Sequence, residues 1–252
     1  MLFRSNLFKG SKEQFQTRLF DGCANVDFSR PLSWDLCYGS FYQNRKHFLD
    51  STPSPTDLDG GALELSSYLA SFGMYQNAVL HTLNRRLFSA ILKILFEAAR
   101  NAHIDPYTSK GILSIHQLRV LIEAVKDSYQ TFLCTSGYPK SSHPSVTLIS
   151  KILMGVMGVL PAFDICFKSA IQVFNTKVPE NCRLSNKLDD ATLTSLLNVA
   201  QDTNVLSYIK TQFDGVNEVS DKDENEHVTQ QLVPYPPMRL LDLIFWAYGL
   251  KK

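Results

Sequence analysis

Residues 146–174 constrain this chain more than any other stretch. They read VTLISKILMGVMGVL, then Pro161, then AFDICFKSAIQVF. Almost every position before Pro161 is apolar, so no face is reserved for water. A helix of that kind is buried on all sides or spans a membrane. The run is too short for a bilayer, and Ser150 and Lys151 interrupt it. The expectation is a central helix, at about 145–160, inside a helical domain. Two ionisable groups, Lys151 and Asp164, then lie where charge is costly.

The remaining segments supply neighbours for such a helix. Leu80, Leu83, Leu87, Ile91, Leu95 and Ala98 recur at three- and four-residue steps over 79–102. Arg86, Lys93, Glu97 and Arg100 fall on the opposite side. Over 114–133, Ser114 and Gln117 have capping-box spacing. Leu118, Leu121, Ile122, Val125, Tyr129 and Phe132 form the stripe that follows. Over 62–77, Leu63, Leu65, Leu69 and Phe72 are the inward candidates. Short helices are also read at 12–20, at 34–49 and over 189–213. Pro161 suits the first turn of a helix after the central one, and Pro237 and Gly249 bracket the last.

Two segments read as loops. STPSPTDLDGG at 51–61 carries two prolines and a glycine pair. The segment 214–235 is polar and acidic, with few apolar anchors. No stretch alternates with period two, and no βαβ rhythm appears. The expected fold is all-α: about eight helices in a single domain over 1–252, because the central helix needs cover from both halves.

Composition excludes some functions. The formal net charge of +1 gives no global field for nucleic acid or an anionic membrane. Five cysteines are scattered, with no CxxC and no histidine at zinc-like spacing. They read as free thiols in a reducing compartment. The opening MLFRSNLFKGSKEQ is broken by charge before any signal-like apolar run forms. A cytoplasmic location is the expectation, with no metal and no cofactor. There is no GxSxG, HExxH, Walker A or GxGxxG.

Three constellations remain. Lys151, Asp164, Arg239 and Asp242 are charges set inside strongly apolar segments. Such groups are paired, exposed or functional. Arg239 and Asp242 stand three apart, so they meet on one helix face. The plain reading is structural ion pairing, with Asp164 favoured by a helix dipole. The functional reading is a polar pocket at the centre of the bundle. The second constellation, YGSFYQNRKHF at 38–48, mixes aromatics with Arg45, Lys46 and His47. It would stack bases and neutralise phosphate, or simply turn its aromatics into the core. The third joins Tyr75, His81, Arg85 and Arg86 near a helix junction, as a pocket wall or as a solvated basic face. The binding candidates are Tyr75, Arg85, Lys151, Asp164, Arg239 and Asp242.

YLASFGMY (68–75), TLISKILMGVMGVLPAFD (147–164) and YPPMRLLDLIFWAYG (235–249) together resemble segments of a family of uncharacterised bacterial proteins. That resemblance implies a bacterial, cytoplasmic, all-helical protein and no particular activity. VMGVLPAFDICF (156–167) is also similar in rhythm to helix-hairpin-helix DNA glycosylases. This second resemblance implies a catalytic carboxylate at Asp164. The hairpin's glycine pattern is absent before Val146, and Lys151 stands too close to Asp164 to take the place of the lysine that bifunctional members carry.

These readings favour a binding or interaction module with a polar-lined central cleft. Its partner is a small polar ligand or a protein. The alternative is an enzyme acting on nucleic acid through Asp164.

Overall fold

Caps and glycines punctuate the chain much as the sequence suggests. The computed structural model describes residues 29–76, 78–107, 112–137, 143–175, 184–201 and 235–249. Among these residues there are nine α-helices and no strand. They are α1 (Ser29–Gln43), α2 (Arg45–Asp50), α3 (Pro55–Ser71), α4 (Ala78–Asn101), α5 (Ile115–Thr135), α6 (Val146–Met157), α7 (Ile165–Asn175), α8 (Asp190–Gln201) and α9 (Pro237–Gly249). A short 3-10 turn, Met74–Gln76, links α3 to α4. No described helix is long and apolar enough to cross a membrane. The expected helix at 12–20, the acidic segment at 214–234 and Leu206, Ile209 and Phe213 lie outside the described residues.

The central helix is where its composition puts it. Every residue of α6 from Leu148 to Met157 is buried. α1, α3 and α5 pack against it. Burying a helix end leaves carbonyls without intrahelical partners. Two distant aromatics donate to carbonyls of the last turn, one of which, Met154, also accepts the Gly158 amide at 3.1 Å. Trp34 Nε1 donates to the Met154 carbonyl at 2.9 Å, and Tyr107 Oη donates to the Val156 carbonyl at 2.7 Å. The helix stops at Gly158, whose φ of 66° is left-handed. Only glycine adopts that conformation without cost.

Three expectations need correction. The break at 51–61 is much shorter, because α3 starts at Pro55. Ser54 and Asp57 form a capping box there, and proline at the first position has no donor to waste. Gly61 sits inside α3, where a β-carbon would lie 3.1 Å from the Phe41 ring and 3.2 Å from Leu92. Close helix packing, rather than chain flexibility, uses that glycine. Leu63 is 54% exposed, whereas Leu58, Ala62, Leu65 and Leu69 form the buried stripe. A two-residue offset from Leu65 rotates Leu63 to the far side. Finally, Pro161 does not open a helix. Residues 158–164 are irregular, and α7 begins at Ile165.

The other periodic segments behave as read. Leu87, Ile91 and Leu95 of α4 are fully buried, and Arg86, Lys93 and Glu97 are exposed. Arg100 departs from that pattern, since its Nη1 donates to the Phe48 carbonyl at 2.8 Å and ties α4 to α2. The Ser114–Gln117 capping box is present. In α8, Leu193, Leu197 and Ala200 are buried. Of the cysteines, Cys37 and Cys134 are free thiols among the described residues.

A charged pocket between the central and last helices

The site begins with three side chains on one face of α6. Thr147, Ser150 and Lys151 are spaced i, i+3 and i+4, so they point the same way. The irregular segment after Gly158 folds back along that face. Thr147 Oγ1 donates to the Phe163 carbonyl at 2.7 Å, and the Phe163 amide donates to Ser150 Oγ at 2.9 Å. These two bonds hold Phe163 in place and so set Asp164 opposite Lys151. Lys151 Nζ then lies 3.2 Å from Asp164 Oδ2. Asp164 Oδ1 accepts the Phe167 amide at 3.1 Å, which caps the start of α7.

α9 closes the other side. Arg239 Nη1 donates to Asp242 Oδ2 at 2.7 Å, the i, i+3 pair anticipated from spacing. Asp242 Oδ1 accepts the Ala162 amide at 2.8 Å. One carboxylate therefore bridges α9 to the folded-back segment. The Arg239 guanidinium lies over the Trp34 ring at 4.6 Å, and Lys151 Nζ lies over the Phe72 ring at 3.7 Å. Both contacts favour a cation.

Burial perturbs these groups in a consistent sense. Lys151 is 2% exposed, and desolvation pulls its ammonium pKa down, opposed by the charges of Asp164 and Asp242. Desolvation pushes the Asp242 carboxyl up, opposed chiefly by Arg239. Asp35 is also raised by burial, with Tyr235 and Arg239 working against the shift.

Phe72, Lys151, Ala162, Asp164, Arg239, Asp242, Leu243 and Trp246 line a small pocket. The centre of a water-sized sphere has about 10 Å³ of room there. That is the room of about one water molecule. The hydrogen-bond tally inside it is lopsided. All four oxygens of Asp164 and Asp242 already accept a donor. Among the described residues, Arg239 Nε and Nη2 are buried and have no hydrogen-bond partner. Tyr68 Oη is likewise buried without one, and so is Asp35 Oδ1.

The structure thus gathers Lys151, Asp164, Arg239 and Asp242. It separates Tyr75 and Arg85 from them. Tyr75 packs edge-on against Phe88, 6.3 Å between centroids. Arg85 is more than half exposed and faces Asp59 at 3.8 Å. Neither lines the pocket. The aromatic–basic stretch 38–48 puts Tyr38, Phe41 and Phe48 in the core, and Arg45 covers the Tyr42 ring at 4.2 Å. Among the described residues no group of three His, Cys, Asp or Glu side chains is placed to hold a metal.

Sequence reasoning missed Thr147 and Ser150, although their spacing from Lys151 was visible. It also missed Trp34, Asp35 and Tyr68, which come from helices over 80 residues away and carry no local signal. No family model, no curated protein and no solved structure matches the chain.

Proposed function

We propose that this protein is a binding module, and that the pocket between α6 and α9 receives one polar group of a small ligand. The observation that carries this reading is the pair of buried, unpartnered nitrogens on Arg239. Buried donors without acceptors cost about 1–3 kcal/mol each, so a folded protein keeps them where a ligand or water completes them. Four charges from three segments meet at the pocket and form two ion pairs there. A preorganised wall of this kind selects a ligand by its polar group.

An enzyme that excises a base through Asp164 has less support. The room beside Asp164 is far below what a nucleobase needs. Both oxygens of Asp164 are also engaged, one with Lys151 and one with the first turn of α7.

A panel of small carboxylic acids, amines and amides tests the binding reading. Trp246 is half-buried at the pocket, and Trp34 is the other tryptophan of the chain. At least one class should raise Tm and change tryptophan emission saturably, with the emission change lost in Trp246→Phe. A panel that moves neither signal at tens of millimolar refutes the reading.

A further inference from the structure

We draw no further inference here: the strongest candidate, the small pocket between α6 and α9 lined by Lys151 and Asp164 with the half-buried Phe72 and Trp246, belongs to the site already described, and nothing in the structure shows what covers its apolar side.

Discussion

Asp242→Ala removes two interactions at one stroke. The Asp242 side chain is 9% exposed, and it accepts from Arg239 Nη1 at 2.7 Å and from the Ala162 amide at 2.8 Å. Its loss strands the Arg239 charge at 3% exposure with no carboxylate on it. Breaking a buried pair from one side costs about 3–5 kcal/mol. That is a large share of a typical stability of about 5–15 kcal/mol. For a chain of this size each kcal/mol moves Tm by roughly 2–4 °C, so the variant should melt about 6–20 °C lower. Urea unfolding followed by circular dichroism should show a lower midpoint with an unchanged slope. The double variant Arg239→Met/Asp242→Ala separates the causes. It removes the stranded charge and leaves the Ala162 amide unpaired, a residual cost of about 1–3 kcal/mol. The double variant should therefore be more stable than Asp242→Ala alone. A single variant within about 1 kcal/mol of the parent refutes the reasoning, and so does a double variant less stable than the single.

Two further predictions follow from the turns and from the buried phenols. Gly158 and Gly137 both have positive φ, but a β-carbon at Gly158 would run into the Pro236 ring and lie 3.0 Å from Tyr38, whereas at Gly137 nothing lies within 4 Å. Gly137→Ala should cost about 1–2 kcal/mol, from backbone strain alone. Gly158→Ala should cost roughly 1–3 kcal/mol more from crowding, and equal melting temperatures would remove the steric account. Burial raises the phenol pKa of Tyr38, Tyr68, Tyr107 and Tyr235. A raised folded pKa means that the stabilisation is complete below the unfolded phenol value of about 10 and is lost as pH climbs above it. Lys151 acts in the opposite sense, since its lowered pKa adds stability as pH rises toward about 10.5, but it is one group against four. Tyrosinate absorbance should therefore appear together with loss of ellipticity above pH ~10, and ionisation of all four phenols near 10 with the helix signal intact would contradict it.

Much of the fold was legible because helices advertise themselves locally. The three- and four-residue apolar spacing of α4 and α5, the Ser114–Gln117 box and the Pro237 and Gly249 boundaries are all read within a few residues. The burial of α6 was legible as well, since a helix without a polar face must be surrounded. Even the presence of an ion pair around Lys151, Asp164, Arg239 and Asp242 followed from the cost of an isolated buried charge. Where local rules misled, packing had overridden them. Gly60 and Gly61 read as a break, yet Gly61 lets α3 approach Phe41 and Leu92 inside a continuous helix. Pro161 read as a helix start, yet Ser150 and Thr147 hold its neighbour Phe163 in an irregular segment.

The sequence by itself determined that this chain is helical, that residues 146–157 lie at its centre, and that charges within apolar segments must find partners. Only the tertiary structure decided which partners they are. Asp242 meets Ala162 across 80 residues, Trp34 reaches Met154 across 120, and Trp34 also lies under Arg239. Periodicity records which face of a helix is apolar, but not which distant face covers it. The unpartnered nitrogens of Arg239 are decided at that same level, because a donor is known to lack a partner only after its neighbours have been placed.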